Sequence, residues 1–195
     1  LTEKEHDEDM ALLCEMGANT VRLAHYQHAQ YFYDLCDKYG LVAWAEIPYI
    51  TEHMPEGRAN TLSQMTELVV QNYNHPSIVC WGLSNEITGS GKTEDLVENH
   101  KLLNDPTTMA HIFMLDANDP LVFLPDIRSY NLYYGWYVGE WDQNDAWFDE
   151  FHKNHPDAVI GLSEYGADAN PAYQSAKPAK GDWSEGYQAV YHEHM

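Results

Sequence analysis

Two glutamates, each closing an apolar run, are the residues of this 195-residue chain best placed to do chemistry together. Glu86 ends Cys80-Trp81-Gly82-Leu83-Ser84-Asn85-Glu86, a run that follows the breaker Asn74-His75-Pro76 and passes into the loop Thr88-Gly89-Ser90-Gly91. Glu164 stands near the end of Ala158-Val159-Ile160-Gly161-Leu162-Ser163-Glu164-Tyr165-Gly166. Buried parallel strands present reactive groups at their C-terminal tips, so both carboxylates are expected on one rim of an α/β sheet. Two carboxyls roughly 5 to 5.5 Å apart, one protonated and one ionised, are what a configuration-retaining glycosidase needs. Glu86 and Glu164 are distant in sequence, so only closure of the sheet brings them together.

The elements that must position them follow one another regularly. Thr2 and Glu5 form a capping box for a helix with Met10, Leu13 and Met16 at helical spacing, closed by Gly17. Thr20–Ala24 reads as a strand carrying Arg22, with His25 at its tip. A helix over Gln30–Tyr39, with Tyr31, Leu35 and Tyr39 on one face, is closed by Gly40, and a strand over Leu41–Ala45 ends on Glu46. The long loop from Ile47 to Arg58 carries Tyr49 and His53. A helix over Thr61–Tyr73, with Leu62, Met65, Leu68 and Val69 inward, leads into the Glu86 strand. A polar helix over Thr93–Leu103 follows, then a strand over Thr108–Met114 containing His111, then an irregular stretch to Asp126. Arg128–Tyr133 is the next strand and runs into the aromatic loop Tyr133-Tyr134-Gly135-Trp136-Tyr137. The helix Trp141–Asn154 buries Trp147, Phe148 and Phe151 and precedes the Glu164 strand. After the loop Gly166–Gly181, Ser184 caps a last helix through His194.

Strand and helix alternate about six times, the pattern of a parallel α/β fold. No glycine-rich phosphate loop follows the first strand, which disfavours a nucleotide-binding doubly wound sheet. A TIM (β/α)8 barrel needs eight strands, so the expectation is a truncated piece with about six of the eight, filling residues 1–195.

Composition narrows the partners. The chain has 31 acidic and 10 basic residues, a formal charge of -21, which disfavours nucleic acid and anionic membranes because phosphate binding needs clustered cations. Cys14, Cys36 and Cys80 are scattered within apolar segments and read as reduced core residues, consistent with a cytoplasmic location. The chain opens without an initiator Met, so its true N-terminus is expected to lie further upstream. No spacing of three ligands specifies a metal, and His25 with His28 does not complete a zinc set. His25, His53 and His111 are candidates to bond sugar hydroxyls, and Tyr49, Trp136, Tyr137 and Trp141 to stack on sugar faces. Glu46 is expected to bridge loop residues.

Four motifs in order resemble glycoside hydrolase family 2, the family of β-galactosidases and β-glucuronidases. They are Gly17-Ala18-Asn19-Thr20-Val21-Arg22-Leu23-Ala24-His25-Tyr26, Asn74 through Glu86, Asn131-Leu132-Tyr133-Tyr134-Gly135-Trp136-Tyr137, and Gly161 through Gly166. The resemblance implies a catalytic barrel with the β-sandwich domains of the complete enzyme absent. It implies Glu86 as acid/base, Glu164 as nucleophile, Asn85 at the sugar 2-hydroxyl, Arg22 near the nucleophile and Tyr133 bonded to it. Arg22 and Tyr133 would then keep Glu164 charged, while Glu86, without a cation, stays protonated. The implied substrate is a terminal β-D-galactoside, with a carbohydrate the only partner, no cofactor in this chain, and magnesium and a homo-oligomer possible in the complete enzyme. β-Glucuronide is the alternative, disfavoured by Leu132, where glucuronidases often carry an arginine, and by the net negative charge. A catalytically silent sugar-binding or structural fragment is the reading from another class.

Overall fold

The computed structural model describes residues 1–88 and 94–195. Most of the Thr88–Gly91 loop and the expected helix start at Thr93 lie outside the described residues.

Six strands form the main parallel sheet: β1 (Thr20–Leu23), β2 (Val42–Glu46), β4 (Ile78–Thr88), β5 (Thr107–Ile112), β6 (Ile127–Asn131) and β7 (Ile160–Glu164), in sequence order across the sheet. A short β3 (Ile50–Glu52) pairs with the far end of β4 through Ile50 and Asn85. Helices α1 (Glu3–Glu15), α2 (Gln30–Tyr39), α3 (Arg58–Asn72), α4 (Glu94–Leu102), α5 (Gln143–Asn154) and α6 (Glu185–His194) alternate with the strands. This is a half-barrel: among the described residues β1 and β7 each pair on one side only.

Local chemistry accounts for the element ends. Thr2 Oγ1 accepts from the Glu5 N–H at 3.4 Å and the Glu5 carboxylate accepts from the Thr2 N–H at 2.6 Å, which is the expected capping box. Gly40 ends α2 at φ 72°, a left-handed cap that costs a residue without Cβ little. Ser184 caps α6 by accepting from the Tyr187 N–H at 3.0 Å.

Several details depart from the sequence reading. The buried face of α2 is Phe32, Tyr33, Leu35 and Cys36, while Tyr39 is half exposed, so the stripe lies one residue around the helix from the expected one. Of the stripe expected on α3, Met65 and Leu68 are buried, joined by Thr61 and Asn72 rather than by Leu62 and Val69. On α5, Phe151 is buried, and Trp147 and Phe148 pack against it partly exposed. Within the stretch expected to be irregular, Asp119 caps a 3-10 turn at Pro120–Phe123. Strand β3 was not expected, because its three residues are all exposed and carry no alternation. Cys14 is exposed, unlike Cys36 and Cys80, whose thiols burial pushes up to about 11 and about 12.

The core packs α1, α2 and α3 against β1, β2 and β4 through Met10, Tyr33, Leu35, Ala43, Met65, Leu68 and Leu83. A second cluster seats α5 on β6 through Tyr130, Leu132 and Phe151. At the N-terminal ends of the strands the loops are clamped by carboxylates. Asp37 accepts from the Ser77 N–H at 3.0 Å and meets His75 Nδ1 at 2.7 Å, and Asp126 accepts from the Thr107 N–H at 2.8 Å. Asp34 completes a set with Asp37 and His75 whose ligand atoms lie within 4.8 Å, but Asp37 is already committed to these bonds. Among the described residues no helix is long and apolar enough to cross a membrane.

Candidate active site

The C-terminal tips of the strands converge on Arg22. From β1 its Nη1 donates to Glu164 Oε1 on β7 at 2.5 Å. Its Nε and Nη2 donate to the two oxygens of Glu46 on β2, each at 3.1 Å, and Nη2 also donates to Asn85 Oδ1 on β4 at 2.8 Å. One planar guanidinium thus ties four strands together, and its five rigid donors suit that work in a way a lysine ammonium does not. The ring of Trp44, 4.8 Å from Arg22 Cζ, faces the cation.

Asn131 organises the opposite flank. Its Nδ2 donates to Asn85 Oδ1 at 3.1 Å and to Glu86 Oε1 at 3.0 Å, while its Oδ1 accepts from Ser163 Oγ at 2.7 Å. Asn131 also pairs in register with Glu164 across β6 and β7. Glu86 thus meets the Asn131 side chain, and Glu164 lies beside Asn131 in the neighbouring strand. Consecutive strand residues normally face opposite sides of a sheet, yet Asn85 and Glu86 meet the same amide. Glu86 achieves this with φ 51°, a left-handed conformation that costs an L-residue about 1–2 kcal/mol.

Glu164 is held from two sides. Tyr133 donates its hydroxyl to Oε2, opposite the Arg22 bond to Oε1, and His25 Nε2 lies 3.7 Å from Oε1. Burial and this bond together push the Tyr133 hydroxyl well above its ordinary value, so it remains a donor. His25 Nδ1 lies 2.9 Å from Glu46 Oε1. Tyr137 lies tilted against Tyr133 at 4.8 Å between ring centres and is itself 64% exposed, the posture of a ring open to a ligand.

Two expected sugar contacts fall elsewhere. His111 alternates to the helix-facing side of β5, where it pairs in register with Tyr130 and their rings lie 5.3 Å apart. No hydrogen bond joins it to the carboxylates among the described residues, and burial pushes its imidazole down to about 4. His53 bonds the Tyr49 hydroxyl and lies 3.7 Å from buried Asp95, a polar cluster beside the site. That cluster touches the active strand indirectly, since the Asn85 N–H donates to the Tyr49 carbonyl at 2.9 Å. Glu46 and Asn131 are the site residues that sequence reasoning did not assign. Glu46 is 1% exposed and bridges Arg22 on β1 and His25 in the turn after it; its signal, a charged residue at a strand tip, was present, but the arginine partner was not.

Comparison with known proteins identifies the family. The family model for glycosyl hydrolases family 2, TIM barrel domain, matches residues 1–194. The chain is 38% identical to a β-glucuronidase of Bacteroides fragilis, over 98% of this chain and 30% of that protein. It superposes with a TM-score of 0.92 and 44% identity on an FMN-binding β-glucuronidase from Facaelibacterium prausnitzii L2-6, covering all of this chain and 32% of that one. A family 2 β-galacturonidase from Eisenbergiella tayi bound to galacturonate matches with a TM-score of 0.87 and 27% identity, over all of this chain and 37% of that one. The chain thus spans about a third of the length of these relatives. Matched by the family model along almost its whole length, with strand tips that hold Glu164 on an arginine and Glu86 on an asparagine, the chain belongs to glycosyl hydrolases family 2 as part of its TIM barrel domain.

Proposed function

We propose that the protein carrying this chain hydrolyses terminal β-D-glucuronides with retention of configuration, with Glu164 as nucleophile and Glu86 as acid/base. The carrying observation is the asymmetry between the two carboxylates. Glu164 is gripped by the Arg22 cation and the Tyr133 hydroxyl, whereas Glu86 meets the neutral Asn131 amide and no cation among the described residues. The cation and the hydroxyl hold Glu164 where a nucleophile is needed, and Glu86, which they do not touch, takes the proton-transfer role. In the first step Glu86 gives its proton to the departing oxygen as Glu164 bonds to the anomeric carbon. In the second, Glu86 takes a proton from water, which displaces Glu164.

The preference for a uronic acid over galactose is supported by most of the relatives, which are named for glucuronides or galacturonides, against one named for a β-galactosidase. The argument from Leu132 against it loses its force: Leu132 is fully buried in the helix-side cluster with Tyr130 and Phe151, so its side chain does not face the sugar. The same reading makes residues 1–195 the greater part of a catalytic barrel, with further strands and β-sandwich domains in the rest of the protein.

Turnover of paired nitrophenyl substrates tests both parts. The β-glucuronide is expected to exceed the β-galactoside in kcat/KM by at least about tenfold, the effect of one well-made contact worth about 1.4 kcal/mol. Glu86→Gln is expected to lower kcat by about 10²–10⁴ and Glu164→Gln by at least as much. Faster cleavage of the galactoside overturns the sugar assignment, and E86Q activity within a few-fold of wild type overturns the acid/base role.

A further inference from the structure

We propose that Glu46 is a positioning residue that tunes the basicity of Glu164 by holding a share of the Arg22 charge away from it. The inference rests on Glu164 being the nucleophile. Glu46 cannot itself touch a sugar, being 1% exposed, yet it makes three polar contacts inside the site. Both its oxygens face Arg22, on Nε and Nη2, and Oε1 also faces His25 Nδ1. This leaves Nη1 as the guanidinium contact to Glu164 and turns His25 so that Nε2 points toward the same carboxylate.

The place for Glu46 is built into the neighbouring strand. Glu46 pairs in register with Gly82 on β4, and a Cβ at position 82 would lie well inside van der Waals contact with Glu46 Cβ and Trp44 Nε1. A residue with no side chain opposite and an aromatic ring under the guanidinium keep the carboxylate in one orientation.

Glu46 removes an anion from water and in return offers two acceptors, one for Nε and one for Nη2, where an amide would offer one oxygen and turn an N–H donor toward the guanidinium. What the charge adds is electrostatic. The groups facing Glu164 are Arg22 and His25 from β1 and the turn after it, Tyr133 after β6, and Glu86 on β4 across Asn131; Glu46 acts through Arg22 and His25. With Glu46 ionised, the single Arg22 charge is divided between two carboxylates, so Glu164 retains more proton affinity, and hence more nucleophilicity, than it would with Arg22 to itself.

The test is the pH profile of Glu46→Gln and Glu46→Asp in the whole protein, on whichever nitrophenyl glycoside the wild type cleaves best, so that an error in the sugar leaves it intact. For E46Q, KM is expected within about threefold of wild type, kcat lower by up to about tenfold, and the acid limb of kcat/KM displaced downward by about one pH unit. E46D, which keeps the charge, is expected to keep the wild-type limb. Should E46Q fail to fold, Gly82→Ala displaces the same carboxylate from the opposite strand and is expected to move the limb in the same direction. Equal losses of kcat in E46Q and E46D with an unmoved limb overturn the proposal, since that is the behaviour of a packing role. Undiminished activity in E164Q would instead strike the nucleophile assignment beneath it.

Discussion

Arg22 carries more of this site than any carboxylate does, because it is the point at which β1, β2, β4 and β7 are joined. Glu86 and Glu164 were legible because each ends an apolar run and strand tips are where such groups gather, whereas Arg22, Asn85 and Tyr133 were legible through the motifs that resemble the family. What the sequence did not disclose is pairing. Nothing in the spacing of Glu46 and Arg22 says that they meet, and Asn131 gives no local sign that it faces Glu86. His111 was misread by one step of alternation: in β5 its neighbours Ala110 and Ile112 share the face that Asn85 and Asn131 occupy, and His111 turns to the helices. That burial has a measurable consequence. The folded imidazole titrates at about 4 and the unfolded one near 6.5, so between these values the unfolded chain holds the extra proton. The stability contributed by neutral His111 is full above about pH 6.5 and is lost as pH falls toward 4, amounting to up to about 3 kcal/mol. Chemical denaturation across that window should show a flatter pH dependence in His111→Leu than in the wild type; identical slopes would refute it.

At the scale of elements, the alternating strands and helices were readable because each combines a periodic apolar face with a breaker or cap at its ends. Where these signals were missing the reading failed. Strand β3 has no buried face and exists because its backbone pairs with β4, a cause that lies in another element. The ends of β5 and β6 fall short of the expected ones because their pairing stops at Ile112 and Asn131, where the two strands are in register. Between β2 and β4 the packing leaves no allowance at Gly82. Gly82→Ala is accordingly expected to destabilise the fold by about 1–3 kcal/mol through overpacking against Glu46 and Trp44, read as a lower denaturation midpoint. An unchanged midpoint would mean that the two strands separate more easily than their register implies.

For the molecule as a whole, the formal charge of -21 does not conflict with an anionic sugar but sets a cost on its approach. Salt screens that repulsion over a Debye length of about 10 Å at 0.1 M, so raising ionic strength should lower KM for a nitrophenyl β-glucuronide while leaving a neutral glycoside almost unaffected. Parallel dependence of both substrates on salt would show that local cations cancel the field. The all-parallel order of the sheet also separates two kinds of work. Strands β1, β2, β4, β6 and β7 deliver Arg22, Glu46, Asn85 with Glu86, Asn131 and Glu164 to one rim, while the opposite rim is occupied by the Asp37, His75 and Asp126 clamps. Engineering for heat tolerance can therefore be confined to one end of the sheet and engineering for a new sugar to the other, with the strands between acting as an insulating layer that neither campaign needs to disturb.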